Sequence, residues 1–449
     1  MSKRIAILGP DGSPVRSRSA PTWRDLRAKY DAAQTTTENS KHWANADGLS
    51  AVSANSADVR KKLRERARNE VANNGYARGI VKRLADTVIG TGPRLQIQAI
   101  GSDLSARIER DFGRWCRAIW FAAKLRMMRA ARTTDGETFA LLRENPKIAA
   151  SVTLDLVPVE ADQIATPSMW MAAPGYVDGI EYDQWGNPSI YHVLRTHPGD
   201  SLSWTGSEYD RVPADTVIHW FTCERAGQRR GVPEITAALP LFAQLRRYTL
   251  ATISAAEIAA LFAALLKSTI PPEDSTESLV PFDTQAVERG MMTALPDGYD
   301  VTQLKAEQPT TTYPDFKREI VNEAASGLSV PSNIALGDSS NYNYSSSQLD
   351  KQWFQRAVEI DQDFAEQVVV DRVFLAWFDE YRLVAGLSPS EVADVLDATR
   401  QWHWDAIPHA DPTKEAEAQA TRIKSGTTTL ADEWAAAGYD WREKADQQA

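Results

Sequence analysis

The chain has 449 residues, 43% hydrophobic and 24% charged, enough apolar material for two to four ordinary domains or one elongated subunit, which excludes a wholly disordered protein. Two cysteines, Cys116 and Cys223, exclude a disulfide framework and fit a reducing cytoplasm. The formal charge of −10 conceals an asymmetry: residues 1–150 hold 28 Lys and Arg against 15 Asp and Glu, the remainder 22 against 45. The basic half suits contact with a polyanion, or with acidic neighbours in an oligomer.

Residues 1–22, rich in Ser, Arg, Pro and Gly without a period, read as a flexible arm, with no uninterrupted apolar run of a secretory signal. Thr22 can cap a short helix over 23–30, and a polar stretch, 34–45, follows. Over 56–88 the pattern is helical: Leu63, Ala67, Val71 and Ala72 recur at helical spacing, then Ile80, Leu84 and Val88, with a turn at Asn73, Asn74 and Gly75. Gly90-Thr91-Gly92-Pro93 leads into a strand over 94–100. A helix over 102–120 then places Leu104, Ile108, Phe112 and Trp115 on one face.

Between 136 and 220 the period shortens to strands at 138–142, 152–157, 177–182, 189–194 and 216–221, with a hairpin loop at 183–188. Residues 234–267 then read as one helix of roughly 50 Å, Ala- and Leu-rich on nearly all faces. Its most membrane-like part, 249–270, is rich in Ala and Leu but carries Glu257 and Lys267, and alanine is only weakly hydrophobic, which argues against a membrane span. Pro271-Pro272 stops it, and a mixed segment, 273–313, contains a strand pair around 290–295 and 300–305. A second helix runs from after Pro314 to near Gly327, then an irregular polar loop, 330–347, and a long helix, 345–384. The expected class is α+β, mainly helical. Helices with this much apolar surface need neighbours, which a ring of identical subunits supplies.

Five segments, in order, resemble the lambda family of phage portal proteins. They are 43–92, with its Arg-rich helix, paired Asn, Tyr76-Ala77-Arg78-Gly79 step and Val88-Ile89-Gly90-x-Gly92 ending; 231–267, with its Arg-Gly-x-Pro step and long helix; and 295–331. The other two are NYNYSSSQLDKQWFQ, 341–355, and 409–441, with Asp411-Pro412-x-Lys414-Glu415 and a Gly-x-x-Thr step from Gly426. The resemblance implies a dodecameric ring, at one capsid vertex of a virion assembled in the host cytoplasm, that conducts double-stranded DNA during packaging and ejection. It implies as partners the terminase large subunit, the major capsid or scaffold protein and a head-completion adaptor, with no membrane and no cofactor. Mapped onto this chain, 1–22 is the arm, 23–230 the wing, 231–270 the first stem helix and 271–313 the clip. The second stem helix is 314–328, the tunnel loop 329–347, the long wing helix and its return 348–400, and 401–449 a wing or crown segment. Because the chain stops soon after Trp441, the crown is expected to be small or absent.

A conduit must let DNA slide, so a lining with few strong phosphate anchors and many weak polar contacts suits it. On that mapping the DNA-channel residues are Glu319, Asn322 and Glu323 of the second stem helix, with Ser326, and Asn341, Asn343, Ser345, Ser346 and Ser347 of the loop; Lys317 and Arg318 supply the few positive charges. The plainer reading is a solvated helix face. The basic run from Arg60 to Arg68 could bind DNA, but reads better as an outer helix facing acidic neighbours of an oligomer. His403, Asp405, His409 and Asp411 form the densest set of metal-ligand types, but Pro408 breaks the repeat that would converge them, so a packed Trp-rich connector is expected. Ser345 to Ser347 lack a nucleophile elbow and Gly90-x-Gly92 lacks a phosphate-loop lysine, so no catalytic, cofactor or metal residue is assigned. The competing readings are another capsid-associated shell or adaptor protein, and an assembly nuclease or protease.

Overall fold

The computed structural model describes residues 41–98, 101–166, 175–200, 208–261, 265–268, 299–302, 313–340, 343–407 and 411–438. Residues 1–50 and 51–449 are two separate units, and all that follows concerns the second. It is mainly helical with small antiparallel sheets, as expected.

Helices α1 (Ala57–Asn73) and α2 (Gly75–Ile89) break at Asn74, whose side chain accepts from the backbone N–H groups of Tyr76 and Ala77 and so caps α2. Strand β1 (Arg94–Ile97) pairs with β11 (Arg400–His403), a strand the sequence pattern did not reveal. Helix α3 (Ser102–Ala118) buries Ile108, Phe112 and Trp115 against Phe374, Trp377 and Trp402. A further unanticipated helix, α4 (Phe121–Asp135), leads into β2 (Glu137–Glu144), which lies between β3 (Leu154–Val159) and β8 (Val217–Phe221). A second sheet runs in order β4 (Tyr176–Val177), β5 (Ile180–Tyr182), β6 (Pro188–Leu194) and β7 (Tyr209–Pro213). The hairpin loop expected at 183–188 is present, tied by the Asp183 carboxylate to the backbone N–H groups of Trp185 and Asn187.

The long helix is shorter than its composition suggested. A 3-10 turn, Glu234–Ala238, precedes α5 (Leu239–Leu261), and Leu265–Ser268 is strand β9, paired with β10 (Tyr299–Thr302). A strand does lie near 300, but its partner is β9; the proposed partner at 290–295, most of the clip and the short helix at 23–30 lie outside the described residues. Helix α6 (Tyr313–Ser326) lies where a helix was expected, from about Pro314 to near Gly327. The loop after it is shorter and more ordered than expected: it contains helix α7 (Ser332–Leu336), and α8 (Tyr344–Ala365) already starts at Tyr344. Helix α8 runs through a π-turn, Glu366–Val370, into α9 (Asp371–Val384). Helix α10 (Pro389–Asp397) opens with a capping box on Ser388, and α11 (Pro412–Ser425) and α12 (Leu430–Ala436) follow β11. No described helix is long and apolar enough to cross a membrane.

Candidate stem and channel surface

The approach to α5 is set by Arg230-Gly231-Val232-Pro233. Glu137, fully buried on β2, accepts hydrogen bonds from Arg230 Nε (2.8 Å) and NH2 (2.7 Å), from Gly231 N (3.0 Å) and from His219 Nε2 (3.1 Å). Burial opposes its charge, but Arg230 and the His219 hydrogen bond outweigh that and hold the carboxyl well below the usual range. Burial keeps His219 below its ordinary value, between the rings of Phe139 and Phe221. Gly136, at φ 87°, and Gly231 pass so closely that a Cβ on either would strike the other segment's backbone, so both must be glycine.

One turn further, a second buried cluster joins α4, the 3-10 turn and α8. Glu234 accepts from Arg129 NH1 (3.0 Å), Arg132 Nε (2.8 Å) and Thr133 Oγ1 (2.9 Å), while Asp361 accepts from Arg129 Nε and Arg132 NH2, both at 2.6 Å. The Arg132 guanidinium also lies 4.8 Å over the Trp220 ring. Burial alone would raise the Glu234 carboxyl, but Arg129 and Arg132, with hydrogen bonds from Arg132 and Thr133, bring it down to about 2. Arg129 and Arg132 also line an open cleft of about 830 Å³ with Phe221, Leu328, Phe354 and Phe364.

Helix α6 divides cleanly into two faces. Val321, Ala324 and Ala325 are buried, while Glu319, Asn322, Glu323 and Ser326 are exposed at positions three, four and seven apart, hence on one side. The two positive residues do not extend that side. The Lys317 ammonium lies 5.0 Å over the Tyr76 ring and 5.8 Å over that of Tyr313, and Arg318 reaches Asp315 at 3.3 Å. The outward face is thus polar and acidic, with Lys317 held by aromatic rings. In the loop, Arg83 of α2 donates to the carbonyls of Ile334 (2.6 Å) and Ala335 (3.1 Å), securing the end of α7. Asn343 is a helix cap: its side chain accepts from Ser346 N at 2.8 Å, and the Ser346 hydroxyl donates to its carbonyl. Ser345, Ser346 and Ser347 form the first turn of α8, and Asn341 lies outside the described residues.

The basic run of α1 departs from expectation. Arg60, Arg64 and Arg68, spaced four apart, turn inward and pair with Asp178, Asp162 (3.7 Å) and Asp135 (2.7 Å) of the same chain, and Arg68 also reaches Asp162. Their partners are internal, with no oligomer needed. Glu160, Asp162 and His197 are close enough to share a cation, but Arg68 already spans both carboxylates, so a guanidinium stands where an ion would. His403 Nε2 meets Gln96 Oε1 at 2.8 Å and Asp405 accepts from Thr91 and Arg94, while Trp402 and Trp404 are buried, as a packed connector requires; His409 lies outside the described residues.

The family described as phage portal protein, lambda family, matches residues 37–362. A probable portal protein of Halomonas phage phiHAP-1 is 25% identical over 402 residues, covering 82% of this chain and 76% of the relative. Among solved structures, the neck of a native gene transfer agent particle, computed with C12 symmetry, is 16% identical with a TM-score of 0.48, over 83% of this chain and 92% of that one. A crystal structure of an HK97-family phage portal protein from Corynebacterium diphtheriae is 13% identical with a TM-score of 0.33, over 75% and 95%.

Proposed function

This chain belongs to the lambda family of phage portal proteins, and from that membership we propose that it assembles into a closed ring, of twelve subunits as the resemblance implies, with a central passage for double-stranded DNA. The observation that carries this reading is the apolar surface left open on a single chain. Leu250 (60% exposed) and Ile253 (49%) on α5, and Leu349, Trp353 (78%) and Ile360 on α8, stand largely in solvent on a single chain. Neighbouring copies related by a rotation supply that cover, and only closure satisfies every copy. The acidic and polar face of α6 suits a passage through which phosphates slide without anchoring.

In this assignment α5 and α6 are the stem, 271–313 is the clip, the turn through α7 up to Ser347 borders the channel, and the preceding residues from 23 form the wing. The segment 401–449 belongs to the wing or the crown. The ring sits at one vertex of the capsid in the virion, is built in the host cytoplasm, and acts as a structural part with no catalysis of its own. Its partners are the terminase large subunit, the capsid or scaffold protein and a head-completion adaptor. Native mass measurement and negative-stain imaging of the full-length protein test the ring: high-mass particles with a central hole are expected. A stable 49.7 kDa monomer at all concentrations overturns it.

A further inference from the structure

Helix α3 has two unlike faces. Ile108, Phe112 and Trp115 enter the core, while Arg107, Arg110, Arg114 and Arg117 are all exposed on the opposite side. Their spacing of three, four and three sets four guanidiniums in a line of about 15 Å along the helix. Internal neutralisation of this line is slight. Arg114 reaches Asp111 at 3.3 Å with its side chain still 65% exposed, and Asp111 already accepts from the Tyr381 hydroxyl. Arg107 reaches the Ala385 carbonyl at 3.4 Å and lies beside the Tyr381 hydroxyl, with Glu391 near, while Arg110 and Arg117 have no carboxylate in ion-pair range among the described residues. Elsewhere among the described residues of this basic half Arg60, Arg64, Arg129 and Arg132 are paired internally, while Lys61, Lys62, Arg66 and Arg78 are exposed. The line on α3 sets four exposed arginines on one helix face.

At its end stands Trp120, 75% exposed, at φ 59° and ψ 40°. This is the position just past a helix where the left-handed backbone favours glycine, since a side chain there is strained. Trp120 N donates to Arg117 O at 3.2 Å and Trp120 O accepts from Lys124 N at 3.1 Å, so the turn is fixed with the indole facing solvent. Met127, also exposed, continues the apolar end on α4. An exposed indole beside arginines is the composition of a protein-binding hot spot.

We propose that the arginine face of α3, ending in Trp120, docks an acidic amphipathic helix of a partner protein, whose carboxylates meet the four guanidiniums while its apolar side receives the indole. The surface itself does not depend on the ring; the choice of a partner protein over a second copy rests on it. A DNA duplex is the poorer match, because phosphates would use the arginines but leave Trp120 without an apolar seat. A second copy is also the poorer match. The chain's own acidic helix, α10, with Glu391, Asp394 and Asp397, starts beside Ala385, which Arg107 already touches. Patches so close together can pair between two copies only about a two-fold axis, which does not propagate around a ring.

The test uses the full-length protein in the oligomer it forms and a labelled alanine-based helix of roughly four turns, with glutamates at the spacing of the arginines and leucines beside them. Anisotropy should show binding that weakens as salt rises. Arg114→Glu with Arg117→Glu should weaken it by roughly tenfold or more, and replacing by lysine only the peptide glutamates that face positions 114 and 117 should restore binding to that variant. Trp120→Gly should weaken binding as well while leaving thermal stability equal or higher, because glycine relieves the strained turn; native mass should be unchanged in both variants. Equal binding of the glutamate helix to the wild type and the double variant overturns the proposal, as does undiminished binding to Trp120→Gly. A duplex of roughly 20 base pairs binding more tightly than the peptide in the same salt makes the surface a nucleic-acid site. A two-fold dimer that the charge reversal dissolves makes the surface a self-association site.

Discussion

Glu234→Gln is the sharpest probe of how the stem is held. The substitution keeps the side chain's shape and removes one charge from a cluster in which Arg129 and Arg132 face two carboxylates, Glu234 and Asp361, with both guanidiniums about 95% buried. A carboxyl brought from 4.5 down to about 2 contributes on the order of 3 kcal/mol of stability. Losing one partner of a buried pair costs a similar amount, about 3–5 kcal/mol. The sign follows from the lowered value. The stabilisation is full above the ordinary carboxylate range and is lost as pH falls through it toward 2, where the folded protein must take up the proton. Urea denaturation of both proteins, followed by tryptophan fluorescence, is the assay. At neutral pH the variant should be weaker by about 3 kcal/mol, and the gap should narrow steadily on acidification. A gap below about 1 kcal/mol, or one indifferent to pH, would refute the idea that this cluster fastens the approach to α5 to α4 and α8.

Leu250→Glu with Ile253→Glu places charges on side chains exposed in one chain and covered only in an assembly. The folded monomer should therefore persist while native mass falls to smaller species, and rings of unchanged mass would remove α5 from the interface. Asn322→Lys with Ser326→Lys adds two charges per subunit to the open face of α6. DNA packaging should slow and recover as ionic strength rises, whereas wild-type rates at every salt concentration would place that face outside the channel. Asn343→Lys should instead lower stability by about 1 kcal/mol in urea denaturation, because it removes the cap of α8; an unchanged midpoint would mean the cap contributes nothing.

The most legible helices are those whose buried faces are apolar: α2 and α9 showed their period because Ile80, Leu84, Phe374 and Phe378 stand at helical intervals, and Asn74 marked the break before α2 by its capping chemistry. Helix α1 was legible from the spacing of Leu63, Ala67 and Val71, although its buried side also holds Arg60, Arg64 and Glu70. Helix α4 escaped because its buried side mixes Leu125 and Met128 with Arg129, Arg132, Thr133 and Asp135, so polarity no longer separates inside from outside. Its arginines find Glu234 and Asp361 far along the chain, a pairing that no local pattern encodes. The end of α5 escaped for the opposite reason: the run through Leu265 and Leu266 is apolar enough for either structure, and pairing with Tyr299–Thr302 decides for a strand.

Charge is where local reading misleads most. The basic run of α1 and the basic face of α3 look equivalent as strings of arginine, yet Arg60 and Arg64 are buried against Asp178 and Asp162, while Arg110 and Arg117 stand in solvent. What separates them is the companion residues: Ala67 and Glu70 sit among the arginines of α1 on its buried side, whereas Ile108, Phe112 and Trp115 fill the buried side of α3 and force every arginine outward. A helix whose core face is already complete has no interior use for its charges. Among the described residues the positive charge is therefore internal where Arg60, Arg64, Arg129 and Arg132 are paired, and external along α3 and at Lys61, Lys62, Arg66 and Arg78; only the external share is free to choose a partner.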